Sequence, residues 1–255
     1  MSILLLSLPI FVLGMAIGSF LNVVALRTIS GKKFYHGRSK CMHCLSTINW
    51  FDNIPILSFL ILKGKCRSCN RSISIQYPLV ELITGAVFMF FFAQNMEPQH
   101  LVIFLILSAI LILISVIDIL EKSIYQSHLY ILLALTLVFR FFIEPTGNLI
   151  DLFYGPLVFG GFITALRWVG GKIYKREAMG IGDAKLAVVL GFILSLKLAV
   201  IALYISFISA SLVGVYLIVS KRKSERIIPF APFLSFGAIT AYFYGQQIIS
   251  FVVQF

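Results

Sequence analysis

Two acidic residues lie where the sequence is otherwise strongly apolar. Asp118 lies near the end of LILISVIDIL, and Asp183 follows two glycines in MGIGDAK, directly before LAVVLGFILSL. Carboxylates within or at the ends of membrane helices are costly to desolvate, so they require a functional hypothesis. When two carboxyl groups lie a few ångströms apart, one keeps a proton while the other acts as a base, and a water between them can attack an amide. This is the chemistry of an aspartic peptidase.

Each carboxylate also has a purely structural explanation. Asp183 suits the first turn of a helix, where free N–H groups and the positive dipole end favour an acid. Asp118 could form an ion pair with Lys122, one turn further on. Gly180 and Gly182 allow backbone conformations and a close substrate approach that side chains would block. Residue types and spacing therefore leave both explanations open.

The cysteines of the chain form two Cys-x-x-Cys pairs, CMHC and CRSC, at Cys41, Cys44, Cys66 and Cys69. Four thiolates in this pattern can bind tetrahedral zinc, and local disulfides or a redox pair are the alternatives. The cytoplasmic location that the charge distribution predicts disfavours stable disulfides, and basic neighbours favour thiolates. Zinc bound by four sulfurs has no position left for a substrate water, so its predicted role is structural. His43, inside the first pair, is then a solvated turn residue.

Membrane helices must position these groups. Of the 255 residues, 60% are hydrophobic and 12% are charged, unlike the usual mix of a soluble domain. A helix rising about 1.5 Å per residue needs about 20 apolar residues to cross a hydrocarbon core of about 30 Å. The sequence predicts eight crossings, near residues 3–26, 78–94, 101–120, 128–143, 151–170, 184–196, 198–219 and 229–252. The sixth is barely long enough and is separated from the seventh by Lys197, so seven crossings are the main alternative.

The distribution of lysine and arginine predicts the orientation. With the N-terminus outside, every basic side chain except those of Arg140, Arg167 and Lys197 falls on the cytoplasmic side, as positive-inside loops do. The net charge of +11 therefore reflects orientation, and no nucleic-acid partner is expected. The first apolar run lacks the basic start and clear cleavage pattern of a signal peptide, so we interpret it as a retained helix. The predicted fold class is an all-α polytopic membrane protein with a small zinc-binding cytoplasmic domain.

The ordered motifs of the chain resemble a known family. GIGD with an upstream membrane aspartate resembles the GxGD aspartic proteases, although GxGD alone would be weak. The surrounding segments narrow this resemblance to the type IV prepilin peptidases. These segments are GSFLNVVALR, the two cysteine pairs enclosing DNIPILSFLILKGK, then ISIQYPLVEL, GIGDAKL and IPFAPFLSFGA. They span nearly the whole chain, so the resemblance is highly specific.

The resemblance implies an inner-membrane enzyme that removes the basic leader from prepilins or pseudopilins on the cytoplasmic side, with Asp118 and Asp183 as the catalytic pair. Many members then methylate the new N-terminal amine with S-adenosylmethionine, an activity associated with the cytoplasmic loop and with Glu81 beyond it. The compact chain suggests a Gram-positive competence-type member. The implied division is a first transmembrane helix (1–26), a zinc-binding domain (27–77) and a transmembrane peptidase domain (78–255).

Two further acids are candidates for methyl transfer or substrate contact. Asp52, in FDNIP, could contact a cofactor or the leader, or could belong to a turn ahead of Pro55. Glu81 could act in methyl transfer, or could be a first-turn helix acid. The chain departs from common family residues at four positions, none of which removes a catalytic carboxylate. These are Gln76 in place of arginine, Tyr125 and Gln126 in place of Pro-Asp, and Ala231 in place of glycine.

Two other functions are compatible with a pair of membrane aspartates. An intramembrane protease of the signal-peptide-peptidase type would cut within a spanning helix rather than beside a leader. A transporter could use the two acids to relay protons or to bind cations. The sequence shows no convincing inverted repeat, which disfavours the transporter.

Overall fold

The computed structural model describes residues 2–33, 37–145, 150–175, 179–220 and 228–253. Helices dominate these residues, and strand pairing is limited to isolated bridges. The helices are α1 (Ser2–Ile29), α2 (Leu57–Ile61), α3 (Gln76–Ala93), α4 (Pro98–Glu121), α5 (Gln126–Val138), α6 (Asp151–Tyr174), α7 (Ile181–Gly191), α8 (Leu196–Val219) and α9 (Ala231–Val253). A 3-10 turn covers Trp50–Asn53, and a π-helical turn covers Phe139–Ile143. The predicted all-α fold class is confirmed.

All helices except α2 correspond to the eight predicted crossings. Within the described residues, six are long and apolar enough to cross a membrane: α1, α3, α4, α5 with its π-helical turn, α6 and α8. Helix α9 has 23 residues but contains two adjacent glutamines and is not among the six. Helix α7 has only 11 residues, or about 16 Å, roughly half of the hydrocarbon core. The predicted break before α8 is present, but α7 is too short to span the core alone.

The chain divides into two compact units, residues 1–116 and 117–255. In the first unit, α1 and α3 pack closely because small residues line their contact. A Cβ atom at Gly14 would lie 2.7 Å from the Cα atom of Gly85, and one at Gly18 would lie 2.8 Å from the Cα atom of Glu81. Glycines one turn apart in this way allow two membrane helices to approach closely. This packing fixes Glu81 against α1.

In the second unit, the short helix α7 is enclosed by its neighbours. Backbone contacts between Gly155 of α6 and Gly191 of α7 leave no room for a side chain at either position. Leu186 and Leu190 of α7 are fully buried. Helix α7 also packs against α5 and α9. These contacts explain how a helix of this length is stably held, and they fix the position of its first turn, which carries Asp183.

The basic segment 221–226, on which part of the predicted orientation rests, lies outside the described residues.

Candidate active site

Asp118 lies on the last turn of α4, in the second unit, and only 5% of the residue is exposed. Its Oδ2 atom accepts a hydrogen bond of 3.0 Å from the backbone N–H of Ala231, the first residue of α9. The first N–H groups of a helix have no partner within the helix, so a carboxylate there is stabilised. The expected ion pair between Asp118 and Lys122 is not formed, although both residues are described. Ion pairs that described residues do form include Arg67–Asp52 and Arg140–Glu144.

Asp183 is the third residue of α7. Its carboxylate accepts a hydrogen bond from the backbone N–H of Gly180, the residue that caps the helix, and this contact is one half of a capping box. The helix-start explanation therefore accounts for part of this side chain. The Oδ1 atom, however, is buried without a hydrogen-bond partner. Because buried polar atoms are nearly always paired, this oxygen indicates a position for water or substrate.

The fold brings the two aspartates together from distant parts of the sequence. The charge of Asp118 acts on Asp183, so the two carboxyl groups lie within electrostatic range of one another. Helix α9 connects them, since its first amide binds Asp118 and its body packs against α7. Neighbouring carboxylates resist joint ionisation, which is the condition for sharing one proton.

The two glycines before Asp183 provide space rather than unusual backbone angles. Gly180 has φ −67° and ψ 144°, a conformation open to any residue, but a Cβ atom there would lie 3.0 Å from Asp183 Oδ2. A Cβ atom at Gly182 would lie 3.0 Å from the Cβ atom of Ile124, in the loop after α4. The space at Gly182 is therefore filled by the chain itself. It allows the segment that carries Asp118 to approach the start of α7.

Sequence reasoning missed the role of Ala231, which it recorded only as a departure from the common glycine. The residue is fully buried, and its amide is the partner of Asp118. Pro232 next to it signals a helix start, but that signal does not say which carboxylate the free amide meets. Another departure, Tyr125, donates a hydrogen bond of 2.8 Å to Glu121, which raises the pKa of Tyr125. Tyr125 therefore joins the last turn of α4 to the start of α5.

The four cysteines converge in the first unit, with their sulfur atoms within 4.8 Å of one another. The Sγ atoms of Cys41 and Cys69 are 3.9 Å apart, and all four cysteines are free thiols. A tetrahedral site with Zn–S bonds of about 2.3 Å has sulfur–sulfur distances of about 3.8 Å. The donor type, number and spacing therefore fit zinc. The four residues could hold a metal ion, as the sequence predicted.

The two cysteine pairs have the same local backbone. In each pair, the N–H of the first cysteine donates to the carbonyl five residues later, and the N–H four residues later donates back to the carbonyl of that cysteine. The residue at this fourth position, Leu45 or Asn70, has a left-handed φ of 60° or 57°. An isolated bridge closes each turn, Lys40 with Thr47 and Lys65 with Ser72. The metal centre is therefore built from two copies of one turn.

Local hydrogen bonds prepare some of these thiols for metal binding. The Ser46 hydroxyl lies 3.0 Å from the Cys44 sulfur and, with the Ser46 backbone, lowers the pKa of Cys44 to about 6. The backbone N–H groups of Cys69 and Ser68 lower the pKa of Cys66. Since the thiolate is the form that binds metal, these contacts favour metal binding at Cys44 and Cys66. At Cys69, by contrast, a backbone hydrogen bond from Arg71 is outweighed by desolvation and by the neighbouring thiols, which together raise the pKa of Cys69 to about 11. His43 is exposed, lies near Arg71 and is not part of the sulfur cluster.

Comparison with known proteins shows the family to which the chain belongs. Residues 12–95 match the family model of the bacterial peptidase A24 N-terminal domain, and residues 105–218 match that of the type IV leader peptidase family. A "Type 4 prepilin-like proteins leader peptide-processing enzyme" of Escherichia coli O78:H11 (strain H10407 / ETEC) is 36% identical over 247 residues, which cover 89% of each chain. The chain belongs to the type IV leader peptidase family.

The chain is also similar to proteins named "Prepilin leader peptidase/N-methyltransferase". The one from Bacillus subtilis (strain 168) is 33% identical over 249 residues, covering 96% of this chain and 97% of the relative. The one from Myxococcus xanthus (strain DK1622) is 33% identical over 222 residues, covering 84% of this chain and 64% of the relative. No solved structure matches the chain. The family resemblance predicted from the ordered motifs is confirmed.

Glu81 is a buried residue of α3 and is 7% exposed. Helix α3 begins at Gln76, so Glu81 lies in the second turn, and the explanation as a first-turn acid is wrong. Its Oε2 atom accepts a hydrogen bond of 2.8 Å from the backbone N–H of Ile56. Glu81 therefore joins α3 to the cysteine-bearing loop.

The backbone at Ile56 is strained. Its φ is 60° and its ψ is −49°, and the N–H of Leu57 donates to the carbonyl of Pro55 across it. This is a γ-turn of the rare form, and a positive φ is especially unfavourable for a β-branched residue. Strained backbone persists only where the surroundings fix it, and it is concentrated at functional sites. Here the Glu81 carboxylate satisfies the N–H of the strained residue.

Asp52, the other candidate acid, is engaged by a basic residue. Its Oδ1 atom lies 2.6 Å from Nη2 of Arg67, and its Oδ2 atom accepts a hydrogen bond of 2.9 Å from Nε. Asp52 belongs to the 3-10 turn, as the predicted turn before Pro55 requires, and Arg67 belongs to the second cysteine pair. The contact with Asp52 raises the pKa of Arg67. The pair ties the 3-10 turn to the metal centre.

Proposed function

We propose that this chain is an aspartic endopeptidase that removes the leader peptide from type IV prepilins or pseudopilins, with Asp118 and Asp183 as its catalytic pair. One observation carries the assignment of the pair. The buried carboxylate of Asp118 and the partly buried carboxylate of Asp183 come from separate helices and lie within electrostatic range, and Asp183 keeps one buried oxygen without a protein partner. The relatives named for leader peptide processing supply the reaction class.

The reaction uses one shared proton and one water. The charged carboxylate takes a proton from the water as the water oxygen attacks the carbonyl carbon of the scissile bond, and the protonated carboxyl group donates its proton to the carbonyl oxygen. When the tetrahedral intermediate collapses, the C–N bond breaks and the nitrogen receives a proton. The products are the leader, which ends in a carboxylate, and a pilin with a free N-terminal amine. The Ala231 amide holds Asp118 in position for these transfers.

The substrate reaches this site from the cytoplasmic side of the cell membrane. A basic leader stays inside, and the apolar helix that follows it enters the bilayer. The scissile junction then lies at the level of the end of α4, which carries Asp118. The predicted orientation places the cysteine-bearing loop on the same side, and the partners of the enzyme are prepilins and membrane lipid rather than nucleic acid.

The second proposed activity is methylation of the new N-terminal amine with S-adenosylmethionine, as the names of several relatives suggest. When bound, S-adenosylmethionine supplies an electrophilic methyl group to that amine. Buried carboxylates suit cationic and hydroxyl-bearing ligands, and Glu81 offers one beside the strained turn at Ile56. We assign Glu81 to methyl transfer as a positioning residue, because it holds the turn at Ile56. Asp52 is paired with Arg67, so we assign it to support of the metal centre.

The metal centre has a structural role in this proposal. Cys41, Cys44, Cys66 and Cys69 would hold zinc with all four sulfurs, which leaves no position for a reacting water. This role supports the predicted division into residues 1–26, 27–77 and 78–255. The metal stabilises the domain 27–77, and both carboxylates belong to the domain 78–255.

Incubation of the purified full-length protein with a candidate prepilin tests the proposal. Asp118→Asn and Asp183→Asn should each abolish leader removal, because neither amide can exchange the shared proton, and both should leave the protein level unchanged. The matched control is Glu121→Gln, which makes the same charge change at an exposed position one turn from Asp118. This control should cleave normally. Substantial cleavage by either asparagine variant would remove that aspartate from the catalytic pair.

The product of the same incubation identifies the reaction. Mass analysis should show a new N-terminus directly after the basic leader, and addition of S-adenosylmethionine should increase the product mass by one methyl group. A cut within the apolar helix would instead indicate an intramembrane protease of the signal-peptide-peptidase type. Cleavage without a methyl increase would limit the protein to the peptidase activity.

A further inference from the structure

The loop between α1 and α3 exposes large apolar side chains although it lies outside the spanning helices. Trp50 is 76% exposed, Leu60 is 64% exposed and Ile61 is 74% exposed. The set, here called the loop apolar surface, consists of Trp50, Phe51, Ile54, Leu57, Leu60 and Ile61. Apolar exposure of this kind outside a membrane span marks an interaction surface.

The loop apolar surface has a defined shape. In α2, Leu57, Leu60 and Ile61 have the spacing of one helix face. On the other side of α2, Ser58 is buried. Its hydroxyl group accepts a hydrogen bond from the N–H of Ile54 and donates one to the carbonyl of Phe51. These hydrogen bonds fasten α2 to the 3-10 turn. The apolar side chains are therefore presented outward by a structured segment.

The position of the loop indicates what covers this surface. The loop starts after Ile29 and ends before Gln76, and α1 and α3 are both long and apolar enough to span a membrane. Both ends of the loop are therefore tethered at one membrane face. Segments that combine tryptophan, phenylalanine and leucine with basic residues bind in the plane of the membrane interface, where tryptophan is enriched.

The charge of the loop points to the same partner. From Arg27 to Arg71 the sequence contains nine lysines and arginines but one acid, Asp52. Asp52 is paired with Arg67, so it does not offset the remaining basic side chains. Basic segments beside membrane helices are attracted to anionic headgroups. An anionic bilayer therefore complements both the apolar and the basic part of the loop.

We propose that the loop apolar surface inserts into the boundary between headgroups and acyl chains, in the leaflet where α1 ends and α3 begins. The cysteine-bearing loop then lies along the membrane instead of extending into water. The metal centre and the Glu81 contact are held at that depth. This proposal does not depend on the catalytic assignment of Asp118 and Asp183.

The fluorescence of Trp50 tests this insertion directly. The chain contains two tryptophans, Trp50 and Trp168, so the full-length Trp168→Phe variant has Trp50 as its single reporter. This variant is reconstituted in vesicles of phosphatidylcholine and phosphatidylglycerol that carry quenching labels at shallow or deep acyl positions. We expect Trp50 to be quenched more strongly by shallow labels than by deep ones. We also expect it to be severalfold less accessible to aqueous acrylamide than in the urea-unfolded protein.

Substitutions within the reporter protein separate insertion from folding. Leu60→Glu combined with Ile61→Glu should abolish quenching by lipid labels and restore acrylamide access, because two charges then oppose insertion. The matched control is Met42→Glu, which changes an exposed residue of the first cysteine pair outside the surface and should leave Trp50 quenched. Both variants should retain one zinc ion per chain, which shows that the loop is still folded.

Several results would overturn the proposal. Full acrylamide access without lipid quenching in the parent variant would show that the surface faces water. Protection that disappears when the protein is diluted in the vesicles would show that a second copy covers it, and protection that arises only after addition of a prepilin would assign it to substrate. Equal quenching depth in vesicles without phosphatidylglycerol would support insertion but would overturn the proposed contribution of the basic residues.

Discussion

The metal centre and the carboxylate pair are both assembled from polar side chains, but over very different distances along the chain. The four cysteines lie within one loop, in two copies of the same turn, and their relative positions follow from local hydrogen bonds. Asp118 and Asp183 lie in different helices, and a third helix, α9, connects them. The first site is therefore determined by local backbone and the second by helix packing.

The energetic balance also differs between these regions. Binding of structural zinc to four thiolates contributes about 10–16 kcal/mol to the folding of small domains at neutral pH, so a zinc ion held by this cysteine cluster would stabilise the turns that create its site. The buried Asp118 and the partly buried Asp183 oppose folding, because both carboxyl groups lose water and neighbouring carboxylates repel each other when charged. Their cost is offset elsewhere, by the close packing of α7 against α6 and by the N-terminal amides at Gly180 and Ala231.

The largest predicted effect comes from removing one metal ligand. Cys69→Ser should reduce the zinc content from one ion per chain to none, because three thiolates do not complete the site. The loop should then become sensitive to trypsin at Lys63 and Lys65, since the metal no longer closes its turns. Metal analysis and mass spectrometry of the digest measure both results.

The control for this change is His43→Ala, which alters the first cysteine pair without removing a sulfur. His43 is exposed and lies outside the sulfur cluster, so this variant should keep its zinc and its resistance to trypsin. Unchanged zinc content in Cys69→Ser would contradict four-sulfur binding. Loss of zinc in His43→Ala would contradict the interpretation of His43 as a solvated turn residue that does not bind the metal.

The second largest effect should follow from filling the space at Gly182. Gly182→Val places a side chain against Ile124 and separates the end of α4 from the start of α7. Misplacement of catalytic groups by about 1 Å can cost about 100-fold in rate, so we expect a loss of that order in kcat/KM for leader removal. Ile124→Ala in the same chain should restore part of the activity.

Gly161→Val is the matched control for this experiment. An added Cβ atom at Gly161, in α6, would meet no atom within 4 Å, so the variant should cleave at the normal rate. If Gly182→Val retained full activity, the contact between Gly182 and Ile124 would have no part in placing the aspartates. If both valine variants lost activity equally, the loss would be a general effect of glycine replacement.

Periodicity and composition were sufficient to predict most of the fold, because membrane helices must satisfy their own backbone hydrogen bonds. The predicted helix 198–219, for example, differs from α8 by two residues at its start. The limits of this approach appear at α7. Its apolar run predicts a crossing, but the helix ends at Gly191. Close backbone contacts of Gly191 with Gly155 and Pro156 hold this short helix in place, and no periodicity reveals them.

The candidate site, like the fold, could be predicted only in part from the sequence. The cysteine spacing was sufficient to predict the metal centre because the ligands are local. The two aspartates were identified by type and location, but their partners were not. The Ala231 amide and the Ile124 contact depend on helices far apart in sequence. The strained turn at Ile56 was also missed, since Pro-Ile-Leu carries no glycine to signal a positive φ.

The contact between Glu81 and Ile56 tests whether packing also controls the loop. Glu81→Leu should cost about 1 kcal/mol of local stability, because it leaves the partly buried N–H of Ile56 without an acceptor. Glu81→Gln, which keeps an oxygen acceptor, should cost less. Hydrogen exchange of the amides in residues 51–58 measures both changes. Equal protection in the parent protein and in Glu81→Leu would show that the local turns hold Ile56 without α3.

The smallest effect is expected at the ion pair between Asp52 and Arg67. The Arg67 side chain is 53% exposed, and exposed ion pairs contribute little to stability. Asp52→Asn should therefore accelerate zinc loss to a chelator by about fivefold at most, with a smaller difference in high salt, where exposed charges are screened. Arg67→Lys should have a similar effect, because lysine keeps the charge but cannot form the two parallel hydrogen bonds. A loss of zinc as complete as that of Cys69→Ser would mean that the metal centre depends on the 3-10 turn as much as on its own sulfurs. The metal centre could then no longer be regarded as determined by its two local turns.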